Sequence, residues 1–230
     1  MIGKFLNAGQ TCIAPDYVLA NNEHYDEIVD AISVQAKRFH QGSPEASPIT
    51  GIVDHAHADR LRELWEDARA RGATKPNGNE LDLSTVSIIT GVPIASRLMQ
   101  EEIFGPLLPV LRFSTLDDVA RLVAETGAPL TTYLFTRDDK FVIEVSRRIK
   151  TGSICVNEML LHFAHPELPF GGVAESGQGR THGHAGFHAF SDDLSILRQR
   201  WGRGVLPLLF PVKGRLQHFA RRWLLRILGR

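Results

Sequence analysis

The chain is 230 residues long and 43% hydrophobic, enough for a sizeable domain with its own core. Its 26 basic and 26 acidic residues cancel to a formal net charge of zero, so composition proposes neither nucleic acid nor an acidic partner. Two distant cysteines, Cys12 and Cys155, form no CxxC pair and no disulfide framework, which fits a reducing, cytoplasmic setting; the start of the chain is too short for a signal peptide's apolar core, and no apolar run reaches transmembrane length.

Residues 3–17 form a polar, glycine-containing loop that carries Cys12 and runs into an apolar, strand-like stretch over 17–20. A thiol on such a loop has flexible backbone and amide donors beside it, as a nucleophile needs if its oxyanion is to be held. The bland alternative is a small, inert hydrophobe near a terminus. Asn21 and Asn22 offer N-caps for a helix through about residue 39, with Ile28, Ile32 and Phe39 at helical spacing and Gly42-Ser43-Pro44 as its stop. A second helix is expected over 58–71, ended by Gly72, then a turn over 75–79 and a strand over 86–90.

From residue 107 the pattern turns regular. A strand over 107–113 leads to Ser114 and Thr115, each with an aspartate three residues on, a capping box for a helix that ends near Gly127. A strand over 130–135, a helix over 138–150 and a strand over 153–157 follow. This βαβαβ alternation predicts an α/β fold with a parallel sheet covered by helices.

Three stretches carry a resemblance. Asn7-Ala8-Gly9-Gln10-Thr11-Cys12-Ile13-Ala14-Pro15 resembles the nucleophile loop of the aldehyde dehydrogenase superfamily, its class 3-like and coniferyl aldehyde dehydrogenase branch in particular. The resemblance implies that Cys12 attacks an aldehyde to give a thiohemiacetal, that hydride passes to NAD or NADP, and that water hydrolyses the thioester left behind. Glu101-Glu102-Ile103-Phe104-Gly105-Pro106 read by composition alone is a solvated helix end; it is similar to a second motif of the family. In that family's terms Glu102 hydrogen-bonds the nicotinamide ribose, for which a carboxylate suits because it accepts from two vicinal hydroxyls, and Phe104 packs beside the nicotinamide.

Pro169-Phe170-Gly171-Gly172-Val173-Ala174-Glu175-Ser176-Gly177-Gln178-Gly179-Arg180 is the third match, with Ala174 where the family pattern has glycine. It is a poor phosphate cradle, since no glycine stands three residues after Gly179 and no βαβ strand leads into it. Its glycines instead let backbone pack closely, and the resemblance places Phe170 along the substrate tunnel. His162 and His165 lie three apart without cysteine or paired acids at ligand spacing, so no metal site is expected.

The resemblance covers residues 2–195, read as the catalytic portion of the fold, and leaves 196–230 as a tail. The family's Rossmann-type coenzyme domain, its oxyanion-hole asparagine and its glutamate general base have no counterpart in this stretch. The expected partners are therefore an aldehyde and either a second copy of the chain or a chain bearing the coenzyme-binding half, with a non-catalytic interaction or membrane-associated protein as the alternative. Residues 194–230 hold nine Lys and Arg and no acid. Leu216, Phe219, Ala220, Trp223, Leu224 and Ile227 gather on one face of a helical wheel, with Arg215, Arg221, Arg222 and Arg226 on or beside the other. Such a helix either lies peripherally in a membrane interface or docks on protein.

Overall fold

An apolar run that must be buried on both faces organises the chain. In the computed structural model, which describes residues 1–41, 49–76, 78, 80–200, 218–219, 222–223 and 225–226, a helical turn α1 (Ile2–Phe5) and the cysteine loop precede β1 (Val18–Asn21) and α2 (Tyr25–Gln41). There follow α3 (His55–Ala70), β2 (Ser87–Thr90), α4 (Arg97–Gln100), β3 (Leu107–Phe113), α5 (Leu116–Thr126), β4 (Thr131–Leu134), α6 (Asp139–Arg148), β5 (Ser153–Val156), α7 (Leu161–Ala164) and α8 (Gly183–Ala189). The expected stop at Gly42-Ser43-Pro44 and part of the turn over 75–79 lie outside the described residues.

β3 stands between β1 and β2 in a parallel sheet, with Val110 opposite Val18 and Leu107 opposite Ser87. Its side chains alternate between two cores. Leu107 and Leu111 pack with Leu61, Leu64 and Trp65 of α3 and Leu98 of α4, whereas Leu108 and Val110 pack with Phe5 of α1 and Tyr25 and Val29 of α2. A strand covered on both sides has no solvent face, which is why its first five residues are apolar without interruption. β1 pairs only from Val110 onward, so Pro109, which has no N–H to donate, is flanked by β2 alone.

The parallel α/β class holds, but the regular alternation does not form one sheet. β4 and β5 make a separate parallel pair, with Thr131 opposite Ser153, while β3 belongs to the first sheet. The two edges of β3 are taken by strands from earlier in the chain, so succession in sequence does not become adjacency in space. α5 and α6 bury Val123, Val145 and Ile149 against Leu134 of β4.

Side-chain caps set the starts of α3, α5 and α6. Thr115 Oγ1 accepts from Asp118 N at 3.2 Å and Asp118 Oδ2 accepts from Thr115 N at 2.9 Å, the expected capping box. α3 starts at His55, ahead of the expected residue 58, because Asp54 Oδ1 accepts from His57 N at 2.7 Å and fixes the first turn.

Met1–Phe190 form one unit and Ser191–Arg230 a second. Residues 201–217 and most of those after them, with much of the expected amphipathic face, lie outside the described residues; Phe219, Trp223 and Leu225 are exposed. No helix among the described residues is long and apolar enough to cross a membrane.

Leu61 is fully buried and fills the space in front of Gly105. Leu61→Ala is expected to cost about 2–5 kcal/mol, read as a lower denaturation midpoint at unchanged slope. A loss below half a kilocalorie would mean that this core can collapse around the gap.

Candidate active site

The cysteine loop is held in a conformation that most residues avoid. Asn7, Ala8 and Gly9 follow one another at φ of 50°, 55° and 71°, and each left-handed non-glycine residue costs roughly 1–2 kcal/mol. Side chains and neighbouring backbone offset that cost. Asn7 Nδ2 donates to Gln10 O and Gln10 Nε2 to Asn7 O, both at 3.0 Å. The same Gln10 amide donates to Gly51 O at 3.2 Å, and Gln10 Oε1 accepts from Val53 N at 2.9 Å, so the turn is tied to residues 51–53. On the far side of Cys12, the Tyr133 hydroxyl of β4 donates to Ile13 O at 2.8 Å. Cys12 is exposed between these ties; Cys155 is buried in β5, and burial pushes its thiol pKa up.

The acidic motif packs on this loop through backbone. A Cβ placed on Gly9 would lie 2.5 Å from the Gly105 carbonyl oxygen, so only a residue without a side chain lets the two segments meet. α3 grips the carbonyl side of the motif. His57 Nε2 lies 2.7 Å from Phe104 O, Arg60 donates to Ile103 O at 3.1 Å, and a second Arg60 N–H donates to Glu102 O. Phe104 sits at φ 49° and is half-buried, its ring edge-on to His57. The Glu102 side chain is exposed. Partial desolvation raises its carboxyl above the ordinary range and the Asp16 carboxylate adds to the rise, against the pull of Arg60 and Lys4.

Lys4 and Asp16 lie below this motif and are absent from any motif-level reading. The Lys4 side chain is 0% exposed, 3.7 Å from Asp16 Oδ1, and burial pulls its ammonium down to about 8 against the attraction of Asp16 and Glu102. Burial likewise raises Asp16, opposed by Lys4 and by an N–H from Ile103. Both fall within the 3–17 stretch, one on each side of Cys12; that Lys4 is buried beside Asp16 is a tertiary fact.

The third motif closes on itself. Phe170 and Thr181 exchange backbone hydrogen bonds of 3.0 and 2.7 Å, and a side chain on Gly152 or Gly172 would run into the carbonyls of Gly171 or Ser176. This agrees with glycines serving close approach. Ala174 keeps a left-handed φ of 53° without being glycine. The Phe170 ring lies 5.0 Å from Phe163, 5.9 Å from His182 and 6.0 Å from His162. His162 is fixed by Thr131 at 3.1 Å and meets the Tyr133 ring edge-on at 5.8 Å. Burial pushes the Tyr133 hydroxyl up to about 12, so it remains a donor to Ile13. The other two motif segments are thus related to the cysteine loop: the acidic one directly through Gly9 and Gly105, the glycine-rich one through His162 and Tyr133. Among the described residues, no cluster of three or more His, Cys, Asp or Glu could hold a metal ion.

Fold and site define an α/β protein built around an accessible loop thiol. The aldehyde dehydrogenase family profile matches residues 1–196, and the chain belongs to that family. It is 39% identical over 193 residues to a probable coniferyl aldehyde dehydrogenase of Pseudomonas aeruginosa, covering 82% of this chain and 40% of that protein. A substrate-bound AldH structure from Staphylococcus aureus matches with a TM-score of 0.76 at 33% identity, over 96% of this chain and 49% of that one. An NAD+ complex of a Bacillus cereus aldehyde dehydrogenase matches with a TM-score of 0.71 at 25% identity, over 83% and 41%. The chain spans less than half the length of the curated relatives it matches, 40% to 48% of those most similar to it.

Gly9→Ala is expected to destabilise by about 2–4 kcal/mol, since it adds a left-handed side chain and a clash with the Gly105 carbonyl. Chemical denaturation measures the loss, and alkylation of Cys12 at fixed pH reports whether the loop has moved. Unchanged stability would mean that the two segments do not meet.

Proposed function

We infer that this chain is the nucleophile-bearing catalytic portion of an NAD- or NADP-dependent aldehyde dehydrogenase. The observation that carries the reading is the exposed Cys12 on a loop pinned from both sides, with the acidic motif packed against it and the glycine-rich motif related to it through Phe170, His162 and Tyr133. In this reading Cys12 Sγ attacks the carbonyl carbon, the C–S bond forming as the C=O π pair moves to oxygen, which takes up a proton as the thiohemiacetal. Bound NAD or NADP supplies the hydride acceptor. Loss of hydride from the carbon and of the hydroxyl proton to solvent would leave a thioester on Cys12, and water hydrolyses it, freeing the carboxylic acid and the thiol.

The residues present fit such a cofactor. Glu102 offers an exposed carboxylate that would accept from vicinal ribose hydroxyls, and Phe104 a half-buried ring edge-on to His57. Phe170 lies among aromatic and imidazole rings and would line the tunnel, which suits an aromatic or medium-chain aldehyde; the name of the Pseudomonas relative supports coniferyl aldehyde as a first substrate to try. Partners in this reading are the aldehyde, a second copy of the chain, or a polypeptide bearing the coenzyme-binding half, in a reducing cytoplasm that keeps both cysteines free. Residues 1–195 form the catalytic portion and 196–230 the basic tail.

With a coenzyme-binding half supplied, Cys12→Ser is expected to lower NADH or NADPH formation from coniferyl aldehyde by at least about a thousandfold. In the unmodified chain an electrophilic probe should label Cys12 well before Cys155; equal, slow labelling of both would sink the nucleophile assignment.

The tail's nine basic residues without an acid, together with exposed Phe219 and Trp223, support peripheral contact with an anionic membrane. Removing residues 205–230 should lower co-sedimentation with phosphatidylserine vesicles at least tenfold. Equal sedimentation of both forms removes the membrane contact.

A further inference from the structure

Lys4 is the only buried charged side chain among the described residues, at 0% exposure. Its Nζ stands 3.7 Å from Asp16 Oδ1, a Coulombic distance beyond hydrogen-bond reach, and has no hydrogen-bond partner. An alkyl side chain of similar length would fill the same space without the cost of desolvating an ammonium. What Lys4 adds is therefore a fixed charge and not packing.

That charge sits under the acidic motif. The other Asp16 oxygen, Oδ2, accepts from the Ile103 N–H at 3.4 Å, and Ile103 lies between Glu102 and Phe104. On the opposite side, His57 and Arg60 hold the carbonyls of residues 102–104. The carbonyl side of the motif is thus clamped by a helix, while on its amide side the Ile103 N–H meets one carboxylate, whose other oxygen faces Lys4. Burial raises the carboxyls of both Asp16 and Glu102, and attraction from Lys4 opposes the rise at each. The Lys4 stem also reaches the cysteine loop, its Cδ lying 3.0 Å from where a Cβ on Gly9 would stand.

We propose that Lys4 is a positioning residue for the cofactor contact: through Asp16 and the Ile103 amide it fixes where Glu102 and Phe104 stand relative to the cysteine loop. The proposal rests on reading Glu102 and Phe104 as cofactor contacts, and its test keeps the two apart.

Amide hydrogen exchange read by mass spectrometry on the full chain provides the test, comparing the unmodified protein with Lys4→Met and Asp16→Asn. Lys4→Met should raise exchange in peptides covering 101–106 at least tenfold while peptides from α2 and β5 stay within about twofold. Unchanged exchange over 101–106, or a rise shared equally by α2 and β5, overturns the proposal, the second because it reports only lost stability. Should Lys4→Met fail to fold, Asp16→Asn removes the charge at the other end of the strut at constant shape. The same selective rise is expected there, and its absence is equally decisive against the proposal. Titrating NAD+ and NADP+ into the same experiment, with a coenzyme-binding half supplied, addresses the cofactor. Failure of both to protect 101–106 in the unmodified chain removes the cofactor reading and leaves the exchange comparison to decide the strut. Where protection is seen, Lys4→Met should raise the half-protecting concentration at least tenfold, and an unchanged value overturns the positioning role.

Discussion

Gly9 and Gly105 meet backbone to backbone, and that approach depends on Gly9 having no side chain. Gly9 faces a carbonyl oxygen and Gly105 faces the Leu61 methyls, so the contact is closed from both directions. Because Gly9 also ends the left-handed run from Asn7, the same residue turns the loop and lets the acidic motif in against it. Cys12 follows three residues later on a backbone whose direction is already set. A thiol on a free loop would be equally accessible but would sample many orientations; here exposure and fixed backbone are combined.

Holding the loop has a cost that is met by groups around it. Two left-handed non-glycine residues and a buried ammonium are each unfavourable in isolation. Gln10 offsets the first by bonding within the turn and across to residues 51–53, and Tyr133 ties the loop to β4 beyond the cysteine. Asp16 and Glu102 oppose the cost of the second. The strain is concentrated where the chemistry is proposed, and the cores that bear it, Leu61 to Leu111 on one face of β3 and Phe5 to Val110 on the other, are ordinary apolar packing.

What the residues reveal in advance depends on how local the cause is. β3 reads directly because burial on both faces demands an unbroken apolar run, and the α5 start reads directly because Thr115 and Asp118, three residues apart, each bond the other's backbone. The α3 start was missed by three residues because Asp54, an ordinary loop aspartate by composition, caps it. The division into two sheets was not legible at all: βαβαβ order says nothing about which earlier strands already flank β3. Of the residues proposed for the site, Cys12, Glu102, Phe104 and Phe170 are singled out by motif wording, whereas Lys4 and Asp16 are not. Lysine is so rarely buried that its sequence position carries almost no signal of it.

Tyr133 shows why the second sheet matters to the first. Its hydroxyl reaches the cysteine loop, its ring meets His162, and His162 meets Phe170, so one side chain of β4 relates the proposed nucleophile to the proposed tunnel wall. β4 is positioned in turn by its pairing with β5 and by Leu134 in the core under α5 and α6. A disturbance in that small core therefore has a route to Cys12 that does not pass through β3. The site is suspended between two sheets, with the acidic motif referenced to α3 and the glycine-rich motif to β4. The cysteine loop is the segment where both references apply, and its geometry is consequently set by the larger core and the smaller one together.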